Sequence, residues 1–337
     1  MSAAQLDVLV VGDLNPDLLV SGEDLSPRWG QTERDAEMRL VLGGSAGICA
    51  AGMARIGLRT ALAATVADDD FGAAAQRMLG ERGVALDAIR VLPGHRTGLS
   101  VHLLADRDRA IYTERGAMVE LTADDAVAAI AARTPRHVHL ASIYLLPALA
   151  RDGGRVLDAA RAAGATVSVD TNFDPAERFE RPSWLTRADV LLPNETEALR
   201  LTGRAADAAA GDDALDAAAR ELARDGALVA VKRGARGAFA IRGEERAEIA
   251  VAADGGTPPA DDAAGADEDG ATVVDAVGAG DSFDAGAVRG LLDGRTLREL
   301  LALGCAAGTL STRAAGGTAA QATLTEADTL AKELLAR

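Results

Sequence analysis

Lysine is nearly missing from this chain of 337 residues: only Lys232 and Lys332 occur, and arginine carries almost all the positive charge. Alanine is abundant, and both features read as compositional bias. Acidic residues outnumber basic ones, giving a formal net charge of −16. That excludes a general nucleic-acid binder, because phosphate contacts need a basic face. No stretch approaches the roughly eighteen uninterrupted apolar residues of a membrane span, so no transmembrane helix and no membrane role are expected. The N-terminus runs straight into apolar Val8, Leu9, Val10 and Val11 with no basic flank or cleavage site. No secretory signal is expected, and the expected compartment is the cytoplasm. The two cysteines, Cys49 and Cys305, sit among small apolar residues, which reads as buried thiols rather than a disulfide or metal site.

With 48% hydrophobic residues the chain can bury a large core. Short apolar runs at 8–11, 138–140, 166–169, 190–192 and 228–231 read as buried strands. Between them, 46–55, 123–133, 154–163, 195–201 and 214–224 carry helical periodicity. This alternation predicts an α/β fold: a mostly parallel central sheet covered by helices on both faces. Two stretches, about 14–42 and 96–118, mix charged and apolar residues and are expected to form a small β-sheet standing off the main domain, a candidate lid. Within the second, 97–104 and 109–112 read as a hairpin around Asp106-Arg107-Asp108. Residues 254–270 are rich in Gly, Pro, Ala and Asp and are expected to form a mobile acidic loop.

One segment suggests chemistry. Thr272-Val273-Val274-Asp275 reads as a strand, Ala276 to Gly280 as a turn of small residues, and 281–292 as a helix. A turn of this kind lets backbone N–H groups converge at a helix N-terminus, an anion site suited to a phosphoryl group. Asp281 at its lip can orient a substrate hydroxyl and accept its proton. The same pattern also fits a tight-packing turn with Asp281 as a plain N-cap.

Other nucleotide motifs are excluded. A Walker A loop needs Gly-Lys before Ser or Thr, but Lys232 precedes Arg233 and Lys332 precedes Glu333. The dinucleotide fingerprint needs a third small residue where Phe283 stands. Val229-Ala230-Val231-Lys232 matches the strand lysine of protein kinases, but no HRD or DFG sequence accompanies it. His137 and His139 share a strand face without a third ligand, which reads as a core role.

Six ordered motifs resemble the ribokinase-like, or PfkB, family of carbohydrate kinases. They are Gly12-Asp13-Leu14-Asn15-Pro16-Asp17, the di-glycine Gly43-Gly44-Ser45-Ala46-Gly47, Asp170-Thr171-Asn172, Pro193-Asn194-Glu195-Thr196-Glu197, Gly234-Ala235-Arg236-Gly237, and Asp275 to Asp281 with Ser282-Phe283. The resemblance implies a three-layer α/β/α ribokinase-like fold and transfer of the γ-phosphoryl of ATP to a hydroxyl of a sugar-like substrate. It implies Asp281 as catalytic base, with Gly278, Ala279 and Gly280 as the anion hole. Asn15, Asp17, Gly43 and Gly44 would hold substrate hydroxyls. Asn194, Gly234 and Gly237 would border ATP, and Glu197 would act through water on Mg²⁺. A wall for the purine from Ala306 and Ala307, a K⁺ ion near the Asp275 loop and a homodimer through the lid also follow from resemblance alone. Two positions depart from the family pattern. Ile48 stands where an Asn usually reaches the sugar, and Ala276 where a Thr is common. The rival expectations are a nucleoside kinase on the same fold, disfavoured by the 3% aromatic content, and a non-catalytic ligand sensor.

Overall fold

The strands of the main sheet are apolar on both sides, and that decides the layering. In β1 (Val8–Val11), Val8 and Val10 enter one hydrophobic core while Leu9 and Val11 enter another. β4 (Thr60–Ala67) repeats the pattern, with Leu62, Ala64 and Val66 on one side and Ala61 and Ala63 on the other. Strands buried on both faces belong between two helical layers. The computed structural model, which describes residues 5–22, 24–26, 29–30, 33, 35–105, 108–206, 211–251 and 273–337, has this arrangement.

The nine-stranded sheet runs in the order β13 (Glu245–Ile249), β12 (Ala238–Arg242), β11 (Leu228–Lys232), β10 (Val190–Leu191), β9 (Thr166–Asp170), β8 (His137–Ala141), β1, β4 and β5 (Ile89–Leu92). From β11 to β5 the pairing is parallel, and β12 and β13 add an antiparallel edge. One face is covered by α1 (Ser45–Arg55), α2 (Asp70–Gly80), α7 (Ala279–Leu292), α8 (Leu297–Ser311) and α9 (Leu324–Ala336). The other is covered by α3 (Ala123–Arg133), α4 (Pro147–Ala162), α5 (Glu195–Leu201) and α6 (Asp212–Leu222). Helix starts follow local chemistry. Thr122 and Asp125 form a reciprocal capping box on α3, Asp69 caps α2 by accepting from Gly72 N at 2.8 Å, and proline opens α4.

A second sheet of four strands has the order β3 (Glu37–Gly43), β2 (Asn15–Ser21), β6 (Leu99–Ala105) and β7 (Asp108–Glu114). Its register puts Asn15, Asp17, Leu19, Ser100 and His102 on one face. Leu18, Leu40, Met38, Val101 and Tyr112 lie on the other, where Met38 and Tyr112 are largely exposed.

Three expectations need correction. Thr272-Val273-Val274-Asp275 is not a strand over its described residues. The amides of Val274 and Asp275 both donate to the carbonyl of Thr312 at the end of α8, at 2.8 and 3.2 Å, so no neighbouring strand completes a ladder. α4 begins at Pro147, not near residue 154, because proline presets the first turn. α7 begins at Ala279, two residues before Asp281. The acidic segment 254–270 lies outside the described residues. His137 and His139 are buried, with burial lowering them to about 3 and about 4; both ring nitrogens of His137 and Nδ1 of His139 pair with the Thr166 and Ser168 hydroxyls at 2.7–2.8 Å.

Candidate active site

Strand ends gather the site. In parallel α/β sheets the carboxyl ends of the strands open onto helix N-termini; here α1 follows β3 and is capped by Asp13 just beyond β1, and α7 meets β9 and β11 through Asp284 and Lys232. Gly278 is the N-cap of α7, in a left-handed conformation with φ of 73°. A Cβ there would stand 2.7 Å from Gly317 Cα and 2.9 Å from Ile48 Cγ2, so no larger residue fits. Ala279, Gly280 and Asp281 form the first turn; the Ala279 N–H donates to the Ala276 carbonyl at 3.2 Å, those of Gly280 and Asp281 lack intrahelical acceptors, and the turn carries the positive end of the helix dipole. Asp281 is thus the third residue of the helix and not its N-cap. The loop before it is pinned by Asp275, which accepts from Val277 N at 2.9 Å and Gly316 N at 2.8 Å.

Asp281 is buried, and its side chain ends a chain of hydrogen bonds. Ser45 Oγ donates to Asp281 Oδ1 at 2.8 Å, and Asn172 Nδ2 donates to Ser45 Oγ at 2.9 Å. Asn172 also donates through its backbone N–H to Asp170 Oδ1 at 3.2 Å, in a left-handed conformation that asparagine tolerates. Lys232 completes the cluster, donating to Asp170 Oδ2 at 2.5 Å and to Asp284 Oδ1 at 3.2 Å. One oxygen each from Asp170, Asp281 and Asp284 lie within 4.8 Å of one another, a grouping able to hold a metal ion.

Crowding four charged groups in a buried place separates their protonation behaviour. Burial, together with the nearby Asp170 carboxylate, pushes Asp281 up to about 7. Burial pushes Asp284 well above the ordinary carboxylate range as well. Burial would also raise Asp170, but the Lys232 ammonium outweighs it and holds that carboxyl below its ordinary value. Burial opposes the Lys232 charge in turn, and the Asp170 and Asp284 carboxylates override it and keep the lysine protonated.

Asp13, Asn15, Asp17 and Gly43 form a second group joined to the first through Gly44 and Ser45. Asp13, at the end of β1, accepts from Ser45 N at 3.1 Å and Ala46 N at 3.0 Å and so caps α1, whose own N-cap Gly44 has no side chain. Asn15 Nδ2 donates to Asp17 Oδ1 at 2.9 Å and to Ser100 Oγ at 3.3 Å. His102 Nε2 lies 3.4 Å from Asp17 Oδ2, and the buried Nδ1 of the same ring has no partner among the described residues. Gly43 is packed against the Asp17 carboxylate.

On the other side, Asn194 and Glu197 form the capping box of α5. Glu197 accepts from Asn194 N at 2.8 Å and from Asn194 Nδ2 at 2.9 Å. Burial and the Asp170 carboxylate push Glu197 up to about 8. Glu195 is paired with Arg236. Gly234 has open space around its Cα, whereas a Cβ on Gly237 would lie 2.0 Å from the Ile249 carbonyl oxygen. The Gly234–Arg236 turn, with Arg233 as its N-cap, follows the end of β11 at Lys232, whose backbone bridges to Asn194. Ala306 and Ala307 of α8 are buried.

A helix-borne carboxyl of raised pKa beside converging amides suits deprotonation of a hydroxyl next to a bound phosphate. A model of the pfkB family carbohydrate kinases matches residues 5–324. The chain belongs to that family. This carbohydrate kinase is 29% identical to an ATP-dependent ribose-1-phosphate kinase of Halopiger xanaduensis, over 87% of its own length and 88% of that protein's. It shares its fold with Arabidopsis thaliana ribokinase solved with ribose and ATP, at TM-score 0.75, 24% identity and coverage of 97% and 99%. A protein of Escherichia coli solved with ATP and Mg²⁺ has TM-score 0.77, 20% identity and coverage of 97% and 99%.

Motif reading missed several residues that the kinase gathers here: Asp13, Ser45, His102, Lys232 and Asp284 received no role. Asp284 carried a usable signal, since it lies three residues after Asp281 and hence on the same helix face. Lys232 carried one too. Leu228 and Ala230 face the α7 side of the sheet, so the period of two sends Lys232 there as well.

Proposed function

We propose that this kinase transfers the γ-phosphoryl group of ATP to a hydroxyl of a sugar-like substrate, with Asp281 as the base. The observation that carries the reading is the position of Asp281: buried, hydrogen-bonded by Ser45, and in the first turn of α7 beside Ala279 and Gly280. In this reading the substrate O–H gives its proton to Asp281, its oxygen bonds to the γ-phosphorus, and the bond from that phosphorus to the β–γ bridging oxygen breaks to release ADP. The first-turn amides bind the equatorial oxygens as their charge develops. Mg²⁺, when bound, neutralises phosphate charge. Glu197 is assigned to it through water, as a hard ion that keeps several waters would require, and Asn194, Gly234 and Gly237 to the nucleotide.

Asn15, Asp17, Gly43 and Gly44 are assigned to the acceptor. The small-sheet face around Asn15 and Asp17 offers Ser100 and His102, groups that pair with hydroxyls, and no Phe, Tyr or Trp among its described residues. This favours a polyhydroxylated acceptor over a nucleoside. Ile48, packed against Gly278 and Gly317, offers no hydrogen bond to that acceptor. The small sheet acts as the lid that excludes water. Its outward apolar face, with Met38, Leu40 and Tyr112 exposed, is assigned to a second copy of the chain, testable by light scattering on Leu40→Glu. A K⁺ ion beside the Asp275 loop is tested by comparing rates in KCl and LiCl.

The deciding experiment is ADP formation with pentoses, hexoses, ketoses, deoxy-keto acids and nucleosides, for the wild type and Asp281→Asn. Turnover with a sugar that disappears in the variant, with ATP binding retained, supports the reading. Tight ligand binding without turnover of any acceptor replaces it with a sensor.

A further inference from the structure

Among the described residues, Lys232 is the cation that touches the aspartates of the site. It leaves the end of β11, crosses β10 and reaches Asp170 at the end of β9, while also touching Asp284 on α7. Its Nζ would lie only 3.5 Å from a Cβ added at Gly280, so the ammonium sits close under the second residue of the α7 first turn. The three carboxylates that could enclose a metal ion thus have a cation supplied by the chain itself. Burying such a pair costs desolvation that its Coulomb attraction only partly offsets, so fold stability alone is a weak reason for it. The composition sharpens the point. In a chain that uses arginine almost everywhere, this position keeps lysine, a compact point charge that fits where a planar guanidinium fork does not.

We propose that Lys232 is a positioning residue for phosphoryl transfer: its ammonium is the resident counter-cation of the Asp170–Asp281–Asp284 cluster and fixes the α7 first turn against β9. This rests on the phosphoryl-transfer reading of the same site. Without the ammonium, an incoming phosphoryl group meets the Asp170 carboxylate uncompensated, and Asp284 loses its ion pair with the end of β11. The effect belongs to the step in which charge develops, so it falls on kcat more than on nucleotide binding.

The test compares wild type, Lys232→Met and Lys232→Ala, using the acceptor on which the wild type turns over. For folded Lys232→Met, kcat is expected to fall about 100-fold while KM for ATP changes by less than about threefold. Lys232→Ala leaves a space matching Cγ to Nζ, which propylammonium fills. Propylamine is therefore expected to raise its thermal midpoint without substrates present, and to restore part of kcat, with neither effect on the wild type. A folded Lys232→Met with kcat within about threefold of wild type overturns the proposal, and so does Lys232→Ala that responds to propylamine in neither measurement. If Lys232→Met does not fold, Lys232→Met/Asp284→Asn, which removes one carboxylate along with the cation, is measured against the same two limits. Failure of the wild type on every acceptor would instead overturn the phosphoryl-transfer reading, so the two failures are distinguishable.

Discussion

The carboxylate of Asp17 occupies the space that a side chain on Gly43 would need: a Cβ at residue 43 would fall 2.0 Å from Asp17 Oδ1. The di-glycine therefore makes room for a neighbouring carboxylate in the proposed acceptor site. Gly43→Ala is expected to displace Asp17, which is buried against Asn15 and has little room to move. KM for the acceptor should rise at least about tenfold while KM for ATP stays within about twofold. Unchanged acceptor KM would mean that Asp17 does not hold the substrate.

Asp281 must be ionised to accept a proton, and burial beside Asp170 has pushed it up to about 7. In the free enzyme, kcat/KM should therefore fall about tenfold per pH unit below that value and level off above it. A profile measured from about pH 5.5 to 8.5 that stays flat would remove Asp281 from the role of base.

The same shift has a consequence for stability, of opposite sign to the rate. Asp281 and Glu197 ordinarily titrate near 3.8 and 4.5, and in the folded chain they reach about 7 and about 8. Groups raised on folding hold protons more tightly in the folded state, so their contribution is full below the ordinary values and is lost as pH rises through the folded ones. Asp281→Asn removes one of these losses, and its amide oxygen can still accept from Ser45. The variant should be inactive yet melt about 3 °C above the wild type near pH 8, with the gap closing towards about pH 4. A lower midpoint at pH 8 would show that the ionised carboxylate stabilises the fold.

The layering and the start of α3 were legible in the sequence because they depend on local pattern, whereas the starts of α4 and α7 were misplaced. Val8 to Val11 and Leu228 to Val231 announce buried strands by composition, and Thr122 with Asp125 marks where α3 begins. The hairpin of β6 and β7 was readable for the same reason. Val273 and Val274 misled because β-branched residues suit a strand only when a neighbour pairs with them, and here the partner is one carbonyl, Thr312. At the site, Asp281 and Gly278 stood out in a short motif. The contacts that tune them did not, since Lys232 meets Asp170 across 62 residues and Ser45 meets Asp281 across 236. Such pairs arise from the strand order, which brings β9, β11 and two helix N-termini to one edge.

Ser45 separates binding from chemistry most cleanly. Its backbone amide is held by Asp13 and its hydroxyl donates to Asp281, so Ser45→Ala should leave the α1 cap intact and remove one hydrogen bond to the base. That bond favours the ionised carboxyl and opposes burial. Without it the Asp281 pKa rises further, and the acidic limb of the rate profile should move to higher pH by about half a unit to one unit. At pH 7 the variant should be slower by about two- to fivefold, with most of the deficit recovered near pH 9. A deficit independent of pH would show that Ser45 acts on the acceptor or the phosphoryl group and not through the base.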